Sequence, residues 1–182
     1  MAPEVSDPAR AAHEALDTLQ RLWTPWRMSY IRGEGKDLDG CPFCVLPGRG
    51  AEHDEASLIL HRGETVYVIL NAYPYNPGHI MVVPYRHVAG LDELTADEVG
   101  EMAATVQQSV LALKATSNPD AYNVGMNIGT LAGAGIAEHL HQHVVPRWSG
   151  DTNFMPLIGQ TRVLPELLEE TYQRLAGGFQ WR

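Results

Sequence analysis

The sequence predicts an α+β protein built on an antiparallel β-sheet, and two observations carry that prediction. Residues 65–70 and 79–85 are short β-branched or apolar segments separated by a turn-rich stretch, which is typical of a hairpin with a long loop. Thr95 and Glu98 form a capping-box pattern ahead of a long segment with apolar residues at helical spacing. Strands and helices that fall in separate runs favour an antiparallel sheet with segregated helices.

The other elements are predicted around this hairpin and helix. The strands are expected at residues 58–61, 65–70, 79–85, 121–129 and 140–146. The long helix is expected to end near Asn118, and the side chains that it is expected to bury are Val99, Met102, Ala103, Val106, Val110 and Leu113. A last helix is expected over residues 165–175.

The first part of the chain is predicted to be an extension of the domain that follows. Residues 7–22 carry apolar residues at helical spacing, after an Asp-Pro pair that suits a cap and first turn. Residues 23–30 lose that spacing and hold several aromatic side chains, and residues 33–50 predict a loop. We therefore divide the chain into an N-terminal helix and aromatic extension over residues 1–39 and one domain over residues 40–182, which includes a C-terminal strand and helix segment.

Composition and charge exclude several classes of protein. The chain has 182 residues, of which 45% are hydrophobic and 19% charged, a balance that can bury a core. The net charge of −9 argues against broad nucleic-acid binding, which needs a basic surface. No apolar run approaches the roughly 18 residues of a membrane span, and residues 1–22 lack the apolar stretch of a secretion signal. We therefore expect a cytoplasmic protein that binds neither nucleic acid nor membrane.

Three histidines at alternating positions are the strongest chemical signal. His139, His141 and His143 precede two valines that favour a strand, and on a strand all three would share one face. Histidines of a protein core are usually single, so this grouping favours a functional site. Two kinds of site remain open. One is a metal site made of neutral imidazoles, and the other is phosphoryl or nucleotidyl transfer by an unprotonated ring nitrogen, with neighbouring imidazolium groups on the phosphate.

Two loops carry residues whose role the sequence leaves open. Residues 127–135 have little side-chain bulk, so their backbone amides can approach a phosphate, although a plain loop has the same composition. Asn71 suits the start of a turn as well as a ligand contact. Tyr73 and Tyr75 can stack on a base or pack against the body of the protein.

The histidine segment resembles the signature of the histidine-triad (HIT) family, His-φ-His-φ-His-φ-φ with φ apolar, and Gln142 is its one polar departure. The resemblance includes Leu70-Asn71, residues 77–84 and Asn127-Ile-Gly129, within residues 40–150. In detail the chain is similar to an actinobacterial branch that acts on diadenosine tetraphosphate. The segments that carry this finer similarity are residues 22–28, 40–44, 138–148 and 151–154. The resemblance implies a HIT-like fold, nucleotide binding and a homo-oligomer, either a dimer or a tetramer.

The resemblance also implies catalytic roles for individual histidines. His141, the middle histidine, matches the nucleophile that forms a nucleotidyl-histidine intermediate. His143 and His79 match positions that contact phosphate, and His143 is counted with the catalytic residues. His139 completes the triad and is expected to be catalytic as well.

The same resemblance implies a set of substrate-binding residues. Asn71 matches the residue that holds the ribose hydroxyls, and Asn127 matches the asparagine before the phosphate loop. Gly133, Ala134 and Gly135 belong to that loop. Many members have Gln-Ser where Ala134-Gly135 stands here, so this loop is expected to act through backbone amides rather than side chains.

Cys41 and Cys44 are the chain's two cysteines, so there is no disulfide framework. Such a CxxC pair is a metal knuckle, a redox pair or two unliganded thiols. A redox pair usually lies where a strand enters a helix, and the proline and glycines over residues 47–50 make a following helix improbable. Zinc needs two further ligands. The resemblance supplies His139 and His87, so we expect a structural zinc ion in a Cys2His2 site.

Residues and resemblance together predict a nucleotidyl transferase that cleaves diadenosine polyphosphates. With inorganic phosphate as the acceptor it is a diadenosine tetraphosphate phosphorylase that gives ATP and ADP. With water it is a dinucleoside polyphosphate hydrolase, and some relatives cleave adenosine phosphoramidates. A nucleotide-binding sensor without turnover is the non-enzymatic alternative, and metal storage or sensing is a further one.

Overall fold

A computed structural model describes residues 40–151 and 166–179 of the chain. The extension predicted over residues 1–39, with its helix and aromatic segment, lies outside the described residues. The strands are β1 (Ile59–Arg62), β2 (Val66–Leu70), β3 (Ile80–Pro84), β4 (Ala121–Met126) and β5 (Gln142–Arg147). The α-helices are α1 (Pro42–Val45), α2 (Ala96–Ser117) and α3 (Leu168–Ala176). Short 3₁₀ turns cover Pro47–Arg49, Ala51–His53, Leu91–Glu93 and Thr130–Ala132.

The described strands form one antiparallel sheet in the order β1-β2-β3-β5-β4. β2 and β3 make the predicted hairpin, which starts with Val66 opposite Pro84. β5 lies between β3 and β4, so His143 is paired with Met81 on one side and with Gly125 on the other. The sheet and its separate helices confirm the predicted α+β fold.

The sheet buries apolar side chains on both faces. Helices α2 and α3 cover one face, where the strand and lead-in residues are Val66, Val68, Leu70, Ile80, Val82, Leu140 and Val144. The opposite face carries Phe43 of α1 together with Ile59, Tyr67, Ile69, Met81 and Val83. Residues paired across antiparallel strands point to the same side, so His143 faces this second side with Met81. His143 is therefore separated from α2 and α3 by the sheet.

Two strand ends differ from the predicted ones by two or more residues, the start of β5 and the end of β4. β5 begins at Gln142 rather than at residue 140, because the amide of Leu140 donates to the carbonyl of Val88 over 2.6 Å and so bonds outside the sheet. The first two histidines of the triad therefore precede the strand. β4 ends at Met126, three residues earlier than predicted, and Gly129 with a φ of 82° turns the chain soon after.

The buried stripe of α2 is rotated relative to the prediction. Its buried residues are Glu98, Met102, Thr105, Ser109, Ala112 and Leu113. The predicted burial of Val99 and Ala103 is wrong, since both are exposed, and the two other valines predicted there are half-buried. The stripe accommodates a carboxylate because Glu98 bonds to Arg86 and to the amide of Thr95.

Among residues 40–151 and 166–179, no helix combines the length and the apolar character that crossing a membrane requires.

The segment after residue 40 is not the plain loop that the sequence predicts. Helix α1 makes one turn that begins at Pro42, and the amides of Cys44 and Val45 both donate to the carbonyl of Cys41 over 3.0 Å. Proline at the first helical position suits this start, because its missing N–H is not needed there. A 3₁₀ turn follows directly, and Gly50 with a φ of 98° ends it. Cys41 precedes the first residue of this turn and Cys44 lies within it, three positions later, so their side chains meet on one side of the turn.

Candidate active site and metal cluster

His141 is held in one orientation by the backbone next to it. Its ring Nδ1 lies 2.8 Å from the carbonyl oxygen of His139, so Nδ1 carries the proton and donates it. A neutral imidazole that donates from Nδ1 has an unprotonated Nε2. The residue is 5% exposed, and its ring centroid lies 5.1 Å from that of Phe43. The structure therefore offers the ring nitrogen that a nucleophilic histidine needs.

Burial favours the neutral form of this imidazole. Desolvation lowers the pKa of His141 from its ordinary value, and the hydrogen bond to the His139 carbonyl opposes that shift. The pKa of His139 is also lowered, mainly by burial and against its hydrogen bond to the carbonyl of Pro84. Both rings are thus neutral at neutral pH, which suits nucleophilic attack by one and metal ligation by the other.

His79 and His143 form a hydrogen-bonded pair with a defined direction. The amide of Tyr75 donates to Nδ1 of His79 over 3.1 Å, so that nitrogen is unprotonated and the proton of the neutral ring is on Nε2. This Nε2–H donates to Nδ1 of His143 over 2.9 Å. The neutral ring of His143 consequently carries its own proton on Nε2. The ring centroids of His141 and His143 are 4.9 Å apart, so the two rings lie next to each other in the site.

The loop between β2 and β3 packs against this pair. The ring of Tyr75 lies 4.6 Å from the His79 ring and 5.9 Å from the His143 ring, measured between centroids. Tyr73 is instead 56% exposed. The side-chain oxygen of Asn71 accepts the amide hydrogen of Tyr73 over 2.9 Å, the turn geometry that asparagine favours, and its nitrogen lies 3.3 Å from Nδ1 of His79. Asn71 therefore shapes the loop at the edge of the histidine cluster.

The glycine-rich loop follows β4 and runs past the start of β5. Met126, the last residue of β4, is paired with Gln142, and Asn127 follows it directly. The amide of Gly133 donates to Thr130 over 3.0 Å, and that of Ala134 donates to Gly129 over 3.4 Å. These two amides are thus engaged within the loop, and contact with a phosphate through them requires that the bonds open.

Four predicted metal ligands come together near Phe43, whose ring contacts that of His139. One potential ligand atom from each of Cys41, Cys44, His87 and His139 lies within 4.8 Å of all the others. Nδ1 of His139 lies 3.4 Å from the Cys41 sulfur and 3.5 Å from the Cys44 sulfur, and Nδ1 of His87 lies 3.3 Å from the Cys44 sulfur. Zinc–sulfur and zinc–nitrogen bonds of about 2.3 and 2.0 Å at a tetrahedral angle separate sulfur and nitrogen by about 3.5 Å. The four side chains are therefore positioned to bind a metal ion.

This arrangement gives His139 a place different from that of its two neighbours in the motif. Nδ1 of its ring faces the cysteine sulfurs, and Nε2–H donates to the carbonyl of Pro84 over 2.9 Å. A metal-binding histidine typically has its second nitrogen held in this way, because the bond fixes the ring's orientation. Its ring thus belongs to the metal cluster, and its backbone carbonyl belongs to the environment of His141.

The cysteine turn is anchored by two side chains from the sheet. The hydroxyl of Tyr67 donates to the carbonyl of Phe43 over 2.7 Å, and Arg62 donates to the carbonyl of Pro47 over 3.0 Å while its guanidinium holds Asp54. Tyr67 is fully buried, and its pKa is strongly raised, mainly by burial, so it stays a neutral donor. The turn is therefore a fixed part of the domain.

Residues 52–150 match the family model described as HIT domain. The chain is also 48% identical over 167 residues to the protein named AP-4-A phosphorylase from Mycobacterium tuberculosis (strain CDC 1551 / Oshkosh), an alignment that covers 88% of this chain and 84% of that protein. The chain belongs to the HIT domain family. The predicted family and its actinobacterial branch are both confirmed.

Other HIT-like proteins agree with this assignment. A crystal structure described as a Zn-bound histidine triad family protein from Mycobacterium smegmatis has a TM-score of 0.61 and 28% identity, with 77% of this chain and 93% of that chain covered. The Schizosaccharomyces pombe protein named Bis(5'-nucleosyl)-tetraphosphatase [asymmetrical] is 30% identical over 95 residues, which is 52% of each chain. One relative of this chain is therefore named as a phosphorylase and another as a tetraphosphatase.

Several residues that shape the HIT site have no signal of their role in the sequence. Phe43 lies inside the cysteine motif, and its ring packs against both His139 and His141. Asn76 and Asp151 anchor the β2–β3 loop to the end of β5. A polar residue in a hairpin loop and a carboxylate 75 positions later give no local signal of contact, so only the folded chain relates them.

Proposed function

We propose that this protein cleaves diadenosine tetraphosphate by nucleotidyl transfer and passes the adenylyl group to inorganic phosphate, giving ATP and ADP. The observation that carries the proposal is the fixed tautomer of His141, whose Nδ1–H is bound by the carbonyl of His139. The chain's 48% identity to a protein named AP-4-A phosphorylase supports the choice of substrate. The family membership alone does not choose between phosphate and water.

The first chemical step uses the lone pair on Nε2 of His141. This nitrogen attacks the α-phosphorus, a phosphorus–nitrogen bond forms, and the bond from the α-phosphorus to the bridging oxygen breaks, so that ATP leaves. As positive charge develops on the ring, the carbonyl of His139 accepts a stronger hydrogen bond from Nδ1–H. Inorganic phosphate then attacks the same phosphorus, the phosphorus–nitrogen bond breaks, and ADP is released.

The neighbouring groups are proposed to hold the phosphates and the nucleoside. His143 donates from Nε2 to a phosphate oxygen, and His79 fixes that direction through its own hydrogen bond. Asn71 binds the ribose hydroxyls, which requires exchange of its turn hydrogen bond or use of its remaining donor. Asn127 and the loop of Gly133, Ala134 and Gly135 line the phosphate side, next to the lead-in to β5.

The metal cluster is proposed to hold a structural zinc ion. Two cysteines and two histidines are a donor set that zinc favours, and the sulfur–nitrogen separations of 3.3–3.5 Å match a tetrahedral site. A similar chain of known structure is described as Zn-bound. When bound, zinc supplies cross-links between α1, the loop after β3 and the lead-in to β5, and the chemistry is left to His141.

The remaining expectations form part of the same proposal. The substrates are a dinucleoside polyphosphate and phosphate, the working form is a homo-oligomer, the place of action is the cytoplasm, and residues 1–39 form an extension of the domain over residues 40–182. Neither nucleic acid nor membrane is proposed as a partner, given the net charge of −9.

Product analysis with labelled phosphate tests the proposed reaction. The full chain is incubated with diadenosine tetraphosphate and ³³P-phosphate, and the nucleotides are separated by chromatography. We expect ATP and ADP in equal amounts, with the label only in ADP, and a transient adenylyl adduct on His141 by mass spectrometry when phosphate is omitted. ATP with AMP regardless of phosphate identifies a hydrolase. Binding with neither adduct nor product identifies a sensor, and either result contradicts the phosphorylase.

A further inference from the structure

A carboxylate at the end of β5 collects hydrogen bonds from two separate parts of the chain. Asp151 accepts from Nε of Arg147 over 2.6 Å and from a terminal nitrogen of the same guanidinium over 2.8 Å. It also accepts from the amide of Trp148 over 3.2 Å. Its side chain is 13% exposed. A paired, largely buried carboxylate of this kind is a rigid anchor, since both oxygens are fixed by the guanidinium.

The second part of the chain reaches this anchor through Asn76. Its side-chain nitrogen donates to Oδ2 of Asp151 over 2.6 Å and to the carbonyl of Pro146 over 3.0 Å. The backbone carbonyl of Asn76 accepts from the amide of His79 over 3.1 Å. Asn76 and Asp151 together are called the loop tether below. The tether joins the β2–β3 loop to the end of β5, beyond the strand residue His143.

The tether lies next to the hydrogen bond that sets a tautomer. Tyr75 precedes Asn76, and its amide donates to Nδ1 of His79. With that donor in place, neutral His79 carries its proton on Nε2 and gives it to His143. If the donor moves away, the opposite tautomer of His79 becomes available. The bond between the rings can then reverse, so that His143 donates from Nδ1 and its Nε2 becomes an acceptor.

We propose that Asn76 and Asp151 are positioning residues that hold the Tyr75 amide on His79 and thereby keep the proton of His143 on Nε2. The kinetic consequence rests on the function proposed above, in which that proton meets a phosphate oxygen. A reversed pair places a lone pair against an anionic oxygen, and this repulsion opposes the charge that develops in the transition state. The tether is therefore specific to the chemical step, whereas nucleoside binding depends on other residues.

Nitrogen-15 NMR of the histidine rings tests the tautomer without substrate. In the wild-type chain labelled at histidine, we expect long-range proton–nitrogen spectra to show His143 and His79 both protonated at Nε2. In N76A, which leaves the Arg147–Asp151 pair intact, we expect a mixture of the two tautomers for both rings. D151N weakens the same tether from its other end, because a neutral amide with one acceptor oxygen replaces the carboxylate. An unchanged His79 and His143 spectrum in folded N76A overturns the proposal.

Steady-state kinetics on diadenosine tetraphosphate give the second readout. We expect kcat to fall about tenfold in N76A, with KM changed by less than about threefold, because the lost interaction acts in the transition state. N76A/D151N is expected to lose no more than the worse single variant, since both remove one tether. If D151N fails to fold, N76A alone decides the question.

A matched ion pair elsewhere in the chain controls for general loss of stability. Glu166 is bound by two guanidinium nitrogens of Arg174, and both side chains are about a quarter exposed. E166Q is expected to lower thermal stability without changing the histidine spectrum or kcat. A kcat loss in E166Q equal to that in N76A reduces the tether to a structural role and overturns the proposal. A changed spectrum in N76A with unchanged kcat supports the positioning role and contradicts the function proposed for His143.

Discussion

The backbone carbonyl of His139 accepts the Nδ1–H of His141 over 2.8 Å, while the ring of His139 faces both cysteine sulfurs. One residue therefore belongs to the metal cluster through its side chain and to the nucleophile through its backbone. The other ring nitrogen is held by the carbonyl of Pro84. Anything that displaces the ring of His139 also displaces the group that sets the tautomer of His141, so changes at the cluster are expected to reach the active site.

Replacing His141 with alanine is expected to abolish turnover. A covalent nucleophile has no substitute in this reaction, and we expect a loss of kcat of at least about a thousandfold. Product formation from diadenosine tetraphosphate is the measurement, and H53A, which changes an exposed histidine, is the control. Circular dichroism checks that both variants fold. A loss below about tenfold, worth only ~1.4 kcal/mol of barrier, would contradict the covalent role.

Replacing Cys41 with serine is expected to remove zinc and lower stability together. Metal binding contributes directly to folding free energy, and each kcal/mol lost lowers the melting temperature of a chain of this size by roughly 2–4 °C. Because His139 links the two sites, kcat is expected to fall as well. Elemental analysis, thermal melting and turnover are measured on the same preparation, with chelator-treated wild type for comparison. Wild-type protein purified without chelators and free of zinc would refute the site, and oxidised cysteines in it would favour the redox alternative.

The carboxylate of Glu98 is expected to give the chain a stability that depends on acid pH. Hydrogen bonds from Arg86 and from Thr95 lower the pKa of Glu98 from 4.5 to about 2. Because the folded-state pKa is the lower one, this stabilisation is present above pH 4.5 and is lost as the pH falls from 4.5 towards 2. E98Q is expected to cost about 1–2 kcal/mol at neutral pH, through the capping box and the ion pair.

Urea unfolding of wild type and E98Q at several pH values measures this dependence. The difference in unfolding free energy between the two chains is expected to be constant above pH 5 and to shrink as Glu98 is protonated, with the pKa near 2 setting the lower end. Taking the difference cancels the effect of histidine protonation at the metal cluster. E52Q, at a carboxylate whose side chain is 72% exposed, is the control and is expected to change little. A pH-independent difference for E98Q would rule out the ion pair as the cause.

Local signals explain which parts of the fold could be predicted from the sequence. The capping box of Thr95 and Glu98 lies within four consecutive residues, and its hydrogen bonds form as the pattern indicates. The hairpin of β2 and β3 depends on neighbouring segments and is confirmed as well. The four residues predicted to bind metal do cluster, although they were assembled through the family resemblance, because Cys41 and His139 are 98 positions apart.

Contacts between distant residues explain the errors. The start of β5 moves to Gln142 because Leu140 bonds to Val88, which no pattern around the histidines encodes. The buried stripe of α2 includes Glu98 because its partner Arg86 lies 12 positions earlier, outside the helix. Spacing gives the period of a helix. A charged residue can be assigned to the buried face only when its counter-ion is known.

The acceptor is expected to depend on the small side chains at Ala134 and Gly135. A loop with little bulk leaves room beside the adenylylated His141 for a second anion, and a bound phosphate is oriented for attack. Gly133 has a φ of 86° and its conformation favours glycine, whereas Gly135 is not among the glycines with positive φ in the described part of the chain. Serine at residue 135 therefore introduces no strain of that kind.

We expect A134Q/G135S to shift the balance from phosphate towards water. The larger side chains occupy the space of the second anion, so ADP formation at millimolar phosphate should fall and AMP should rise, while total ATP release changes less because the first step is untouched. L131Q, at a fully exposed position of the same loop, controls for a general change of the loop and is expected to keep the wild-type products. Product ratios with ³³P-phosphate decide the matter: a variant that still gives ADP as its only second product shows that the acceptor is selected elsewhere in the site.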